Sequence, residues 1–200
     1  MNAAVTVYTD EAAFIDALAS GSYFTETFDG ESGGATGSLN FAQDPFAFNV
    51  APVSPGIGSN IYVYTVQGTA GDVAFSASSL SAVTPVIVAF SGTEPVTAFG
   101  GYFIGSDVSG NTVSASVNLT AVIGGSTYTA PVITTPSSAP VFRGYITDSG
   151  SFNSFTFDDP AADLWGGLSS ITVGTSVPEP CTTLLTSAAG VGLLLRRRRI

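Results

Sequence analysis

Hydrophobic and polar residues alternate with a period of two along most of the chain after residue 22. This spacing puts apolar side chains on one face of a β-strand, and the runs are separated by Gly, Pro, Ser and Asn, which favour turns. Gly124 and Gly125 predict a hairpin turn, because glycine readily adopts positive φ. The pattern predicts about eleven strands, over Tyr23–Phe28, Phe46–Val50, Ile61–Val66, Val73–Ala77, Val86–Phe90, Val96–Ile104, Val113–Ile123, Ser126–Ile133, Phe142–Thr147, Phe152–Phe157 and Ser169–Val173.

One segment near the N-terminus has helical spacing instead. Phe14, Ala17 and Leu18 stand at i, i+3 and i+4, with Asp10 as an N-cap and Gly21 as a stop signal. Many short strands with a single helix predict an all-β fold, with antiparallel sheets packed as a β-sandwich or jelly roll. We expect this domain to cover residues 1–174.

Composition excludes most common catalytic chemistries. The chain has no histidine, and its single cysteine, Cys181, lies outside the domain. Histidine general bases, Ser-His-Asp and Cys-His nucleophiles, and zinc sites with histidine or thiolate ligands are therefore absent from the domain. We expect a protein that is not an enzyme.

Charge is sharply partitioned along the chain. Four of the five basic residues are Arg196, Arg197, Arg198 and Arg199, and all but one of the fifteen Asp and Glu residues precede residue 178. The domain therefore has fourteen carboxylates, one arginine and a net charge of −13. Nucleic acid is excluded as a partner, because phosphate backbones repel so acidic a surface. Divalent cations and neutral ligands remain compatible with it.

The C-terminus has three consecutive features. A linker, residues 175–180, contains the motif Val177, Pro178, Glu179 and Pro180, in which two prolines enforce an extended peptide. Fifteen uncharged and mainly apolar residues follow, Cys181–Leu195. As a helix they span about 22 Å, less than the roughly 30 Å of a hydrocarbon core, and the arginines that follow can snorkel. Those arginines place the C-terminus in the cytoplasm by the positive-inside rule.

This order of motif, apolar segment and basic end resembles the PEP-CTERM sorting signal of Gram-negative bacteria. The resemblance covers residues 177–200 and implies a transmembrane helix with an Arg cluster over residues 181–200. It also implies cleavage near Pro-Glu-Pro by an exosortase, and transient residence in the inner membrane before release to the cell surface or extracellular matrix. The alternative is an ordinary tail anchor with a chance Pro-Glu-Pro.

The N-terminal part is similar to the uncharacterised β-rich ectodomains that precede such signals. The similarity lies in Thr9–Phe14, Glu26–Gly30, Phe152–Phe157 and Leu168–Gly174, and it implies no catalytic residues. Residues 1–5 lack the basic and apolar regions of a secretory signal. Either a signal peptide is missing from this sequence, as we expect, or the protein is not exported. Cys181 is either a small side chain at a membrane boundary, or a lipid-attachment site or a thiol that takes part in sorting.

Five carboxylates are candidate calcium ligands. Asp158, Asp159 and Asp163 surround one turn, and Asp29 and Glu31 lie in a Gly-rich segment after an early strand. Calcium takes six to eight oxygen ligands, often from such loops. The alternative is that these carboxylates are solvated or cap the turns.

Sugar binding requires exposed aromatic rings beside polar groups. Trp165, the only tryptophan, lies in a Gly-rich segment typical of a loop, and a buried core position is the alternative for it. Further candidate rings are Tyr62, Tyr64, Tyr102, Tyr128 and Tyr145.

Three functions are compatible with these patterns. The first is a non-enzymatic structural or adhesive protein of the cell envelope, which the tail favours. The second is a carbohydrate-binding module, stabilised by calcium, that acts on exopolysaccharide. The third is a glycoside hydrolase or lyase that uses two carboxylates, for which Asp158 and Asp159 are poorly suited because neighbouring strand residues point to opposite faces.

Overall fold

A computed structural model describes residues 3–29, 31, 34–53, 60–65, 73–78, 85–107, 109–161 and 164–177. These residues form one helix and fifteen strands. In chain order they are β1 (Val5–Tyr8), α1 (Glu11–Asp16), β2 (Leu18–Glu26), β3 (Gly34–Thr36), β4 (Leu39–Gln43), β5 (Phe46–Pro52), β6 (Asn60–Thr65), β7 (Val73–Ser78), β8 (Val86–Phe90), β9 (Ala98–Asp107), β10 (Ala115–Ile123), β11 (Ser126–Thr129), β12 (Ile133–Thr135), β13 (Val141–Thr147), β14 (Phe152–Asp158) and β15 (Leu164–Ser176).

The strands form two antiparallel sheets. The eight-stranded sheet has the order β1-β13-β9-β15-β7-β6-β3, with β2 also paired to β15. The seven-stranded sheet has the order β11-β10-β14-β8-β5-β4, with β12 also paired to β10. The long strand β15 organises the first sheet, because it pairs with β9 along one edge and with β7 and then β2 along the other.

A single apolar core joins the two sheets. Alternate residues of β5 are buried in it, as the period of two requires: Phe46, Phe48 and Val50. The rings of Phe99 on β9 and Phe155 on β14 stack across the core, with centroids 4.4 Å apart and an interplanar angle of 4°. The predicted all-β antiparallel sandwich is confirmed.

The helix lies on the outer face of the eight-stranded sheet. The Asp10 carboxylate accepts a hydrogen bond from Ala13 N at 2.8 Å, which confirms the predicted N-cap. Phe14 is fully buried, with its ring centroid 5.5 Å from that of Phe142. The helix ends at Asp16, before the predicted stop, because Leu18 already pairs with Ser176 in the sheet.

Several strand boundaries differ from the predictions for a physical reason. The predicted strand Ser126–Ile133 is two strands, β11 and β12, because Pro131 lies between them and cannot donate to a ladder. The predicted hairpin is confirmed: Gly124 and Gly125 have φ of 53° and 86° and connect β10 to β11. Strands β1, β3 and β4 were not predicted, and β15 begins five residues before its predicted start.

The predicted C-terminal transmembrane helix lies outside the described residues. Within them, no helix combines the length and apolarity needed to cross a membrane.

Candidate functional site

Trp165 lies in a strand and faces outward from the eight-stranded sheet. It pairs with Ser106 of β9. The preceding residue of β9, Gly105, faces the interior, because a Cβ atom built on it would lie 2.2 Å from the Ala115 Cβ of the opposite sheet. Successive strand residues point to opposite faces, so Ser106 and Trp165 face outward. Trp165 is half-buried, and the predictions of a loop and of a buried core position are both wrong.

Tyr62 is the partner of this indole. Its strand neighbours Ile61 and Val63 are buried in the core, at 0% and 2% exposure, so Tyr62 faces outward and is half-buried. Its ring centroid lies 5.9 Å from that of Trp165, and the ring planes differ by 17°. We call Tyr62 and Trp165 the aromatic pair. Because the rings are nearly parallel, each keeps one face turned away from the other.

The aromatic pair joins two strands that are separated in the sheet by a third. Trp165 is on β15 and Tyr62 on β6, with β7 between them in the sheet. The signal for Tyr62 was present in the sequence, since apolar residues on both sides of a tyrosine in a strand predict an outward ring. The signal for its contact with Trp165 was absent, because that contact depends on the order of strands that are distant in sequence.

A hydrogen-bonded loop follows β9, the strand that pairs with Trp165. The Asp107 Oδ1 atom accepts hydrogen bonds from Ser109 N at 2.8 Å and Asn111 N at 2.9 Å, and Oδ2 accepts one from Asn111 Nδ2 at 2.9 Å. The Asn111 side chain and then the backbone N–H groups lower the pKa of Asp107. Asp107 pairs with Leu164, the neighbour of Trp165, so this loop fixes one end of the strand that supports the indole.

The first pair of candidate calcium ligands lies in a turn. Asp29 is exposed, and its carboxylate accepts a hydrogen bond from Thr27 Oγ1 at 3.1 Å. Glu31 N donates to the Phe28 carbonyl at 3.2 Å. Phe28 has a φ of 61° and is fully buried, so its conformation and burial fix the turn that presents both carboxylates.

The second set of candidate calcium ligands separates at the end of β14. Asp158 is half-buried on the outer side of the seven-stranded sheet. Asp159 is 1% exposed, and its carboxylate accepts from Ser116 N at 3.2 Å and Ala161 N at 2.8 Å. Asp163 lies outside the described residues. No cluster of three or more metal-ligating side chains occurs in the part of the chain that the structure describes.

Three of the other candidate tyrosines are buried or half-buried in the fold. Tyr145 is buried in the core, and burial raises its pKa. The Tyr102 hydroxyl donates to Glu11 Oε2 at 2.8 Å, and burial together with this contact raises its pKa to about 12. Tyr128 is half-buried, and burial raises its pKa as well. The side chain of Tyr64 is not among those described, so the aromatic pair is the candidate site.

The predicted sorting features are almost wholly beyond the described residues. Val177 is exposed, and its N–H donates to the Ala17 carbonyl at 3.1 Å. Pro178, Glu179, Pro180, Cys181 and Arg196–Arg199 lie outside the described residues.

Comparison with protein-family models gives no match, and comparison with curated proteins gives none either. Among solved structures, a lysine-to-alanine mutant of the family 29 carbohydrate-binding module CBM29-2, complexed with cellulohexaose, has a TM-score of 0.44 at 12% identity, covering 78% of this chain and 94% of that one. The CBM22-1 xylan-binding domain of Xyn10C from Paenibacillus barcinonensis has a TM-score of 0.45 at 14% identity, covering 77% and 95%. The CBM1 module of BiXyn10A has a TM-score of 0.43 at 6% identity, covering 76% and 97%. At such identities none of them assigns a role to an individual residue of this chain.

Proposed function

We propose that this domain is a non-catalytic carbohydrate-binding module whose ligand stacks on the aromatic pair. The observation that carries the proposal is the pair itself: two nearly parallel rings, with centroids 5.9 Å apart, half-buried on the outer face of a sheet. An aromatic ring offers a large rigid apolar face at little conformational cost. The C–H face of a pyranose ring is a suitable partner for such a face, and its hydroxyl groups remain in water.

The charge of the domain favours a neutral glycan. Arg143 is its only basic residue, and that guanidinium donates to the carbonyl of its neighbour Phe142 at 2.7 Å. The described residues thus offer no cluster of cations to pair with the carboxylates or sulfates of an anionic polysaccharide. Fourteen carboxylates would repel such a polymer. We therefore expect binding to neutral polysaccharides such as glucans, xylans or mannans.

Affinity electrophoresis of the full chain through gels containing neutral or anionic polysaccharides tests this proposal. We expect at least one neutral polymer to retard the protein, and Trp165→Ala or Tyr62→Ala to restore free migration. Tyr23→Ala is the matched control, because Tyr23 is an exposed tyrosine of β2. It pairs with Gly174 near the far end of β15, about 30 Å from Trp165 at 3.3 Å per residue. Equal retardation of Trp165→Ala and the wild type would overturn the proposal.

We further propose that the protein is exported and sorted through its C-terminal segment. The support is the order of the Pro-Glu-Pro motif, the apolar run and the terminal arginines in the sequence. In a host that carries an exosortase, Glu179→Ala or deletion of Arg196–Arg199 should leave unprocessed protein in the membrane fraction. Normal release of both variants would contradict the sorting proposal without affecting the glycan proposal.

A further inference from the structure

A groove with polar side chains lies on the face of the sandwich opposite to the aromatic pair. It is a groove of about 320 Å³ on the outer side of the seven-stranded sheet. Its floor is formed by two cross-strand pairs of β10 and β14, Asn118 with Asp158 and Thr120 with Thr156. We call this surface the threonine groove. Its volume is at the lower end of the range of about 300–1,000 Å³ that small-ligand sites occupy.

The direction of the floor residues follows from the burial of their neighbours. Leu119 of β10 and Phe157 of β14 are each 1% exposed in the core. Alternation along a strand therefore directs the Asn118, Thr120 and Asp158 side chains outward, and each is half-buried. The walls are Pro85, which precedes β8, and the segment from Thr129 to Val132, which follows β10 at the sheet edge.

The groove carries unused hydrogen-bonding groups. Thr156 Oγ1 donates to the Thr120 carbonyl at 3.3 Å. Within the described part of the chain, the side chains of Asn118, Thr120 and Asp158 have no hydrogen-bond partner. An amide, a hydroxyl and a carboxylate together provide donors and acceptors at close spacing. A carboxylate oxygen pair also accepts readily from two neighbouring hydroxyl groups.

These groups match a neutral polyhydroxylated ligand. Every sugar hydroxyl both donates and accepts, so it can pair with the amide, the hydroxyl or the carboxylate. The lining contains no Lys or Arg, and the Asp158 carboxylate would repel a phosphate or a uronic acid. Val132, which is 57% exposed, and Pro85 add apolar walls of the kind that sugar C–H groups contact.

We propose that the threonine groove is a second glycan site and that the domain cross-links two neutral polysaccharide chains. This rests on the proposed function of the aromatic pair. The Gly166 position touches the backbone of Asp158 and Asp159, since a Cβ built there would lie 3.3 Å from both. The two sites therefore lie at the same end of the sandwich, and their side chains point away from each other on opposite faces. A glycan chain bound at one site would therefore lie on the face of the sandwich opposite to a glycan chain bound at the other site.

Calorimetric titration of the full chain with xylohexaose and cellohexaose tests the number of sites. We expect two ligands per chain. Asn118→Ala and, as a conservative second variant, Asp158→Asn should each weaken one of the two sites at least tenfold and leave the fluorescence response of Trp165 intact. Asn153→Ala is the matched control, because it removes an exposed asparagine at the other end of β14.

Light scattering of a long xylan or glucan tests the cross-linking. The wild type should raise the scattering, and Trp165→Ala and Asn118→Ala should each abolish the rise. One ligand per chain, lost with Trp165→Ala and unaffected by Asn118→Ala, would overturn the second site and leave the aromatic pair as the binding site. A single ligand weakened by both variants would mean that one glycan wraps the end of the sandwich, which overturns cross-linking. Binding that only the groove variants weaken would instead refute the role of the aromatic pair, and no binding to any neutral glycan would refute both.

Discussion

Gly105→Ala is the sharpest test of how closely the two sheets approach beneath the aromatic pair. A Cβ atom at this position would lie 2.2 Å from Ala115 Cβ, 2.8 Å from the Val113 carbonyl oxygen and 3.1 Å from Thr135 Oγ1. Carbon atoms in contact are normally about 3.5–4.0 Å apart. The new methyl group would therefore require a displacement of more than about 1 Å between two strands that belong to opposite sheets.

The expected cost is at the upper end of the range for overpacked cores. Inserting a methylene group into a packed interior typically costs about 1–3 kcal/mol, and here the obstacles include backbone as well as side chain. We expect Gly105→Ala to lower the free energy of unfolding by about 3 kcal/mol, or roughly 6–12 °C in Tm for a domain of this size. Ala115→Gly alone should cost about 1 kcal/mol, through lost burial and added chain entropy.

Urea melts of the two single variants and the double variant provide the assay. Ala115→Gly removes the closest obstacle. The free energy of unfolding of the double variant should therefore be at least about 1 kcal/mol higher than the value obtained by adding the two single effects. Gly37→Ala is the matched control, because no atom lies within 4 Å of a Cβ built there. It should change stability by less than about 0.5 kcal/mol. A Gly105→Ala variant as stable as this control, or additive effects in the double variant, would refute the packing described.

Three further predictions follow from buried or hydrogen-bonded groups. Tyr145→Phe should raise the free energy of unfolding by about 1 kcal/mol in a urea melt, because its buried hydroxyl has no partner among the described residues. Tyr102→Phe removes a hydroxyl that is bonded to a carboxylate and should lower the free energy of unfolding. The opposite order of the two effects would contradict these hydrogen-bond assignments. Because the pKa of Asp107 is lowered in the folded state, its contribution to stability is present above its ordinary value near 3.8 and is lost as pH falls toward the folded value. Asp107→Asn should therefore make the free energy of unfolding fall less steeply as the pH is lowered. An unchanged slope would contradict a stabilising role for the Asp107 carboxylate. If calcium binds at the end of β14, added calcium should raise Tm by several degrees over EDTA and Asp158→Asn should abolish the rise; an unchanged melt would leave Asp158 and Asp159 as turn residues.

The period of two was sufficient to predict strands whose apolar side chains face one continuous core. Val86–Phe90 has the predicted bounds, and the Asp10 cap follows from a side chain and a backbone N–H three residues apart. Local chemistry determines such features. Strand β4 was missed because it has only two apolar inward positions, Leu39 and Phe41, and its pairing with β5 stabilises it. Pairing partners distant in sequence cannot be read from a local pattern.

The start of β15 illustrates the same limit at the candidate site. Gly166 and Gly167 follow Trp165 and are typical of a loop, yet Gly166 pairs with Gly105, and both lie against strands of the opposite sheet. Glycine there provides space for packing, which a sequence pattern does not distinguish from turn formation. The individual rings of the aromatic pair were therefore candidates, whereas their contact required the strand order. The threonine groove was not predicted, because its residues come together only through the β10–β14 register.

The most direct test of the central proposal uses the single tryptophan of the chain. Because Trp165 is the only indole, its fluorescence during titration with neutral oligosaccharides reports on the aromatic pair alone. We predict a saturable change in emission with at least one of xylohexaose, cellohexaose and mannohexaose, retained in Tyr23→Ala and lost in Tyr62→Ala. An emission spectrum that stays constant throughout these titrations, with the protein folded by circular dichroism, would contradict glycan binding at the aromatic pair.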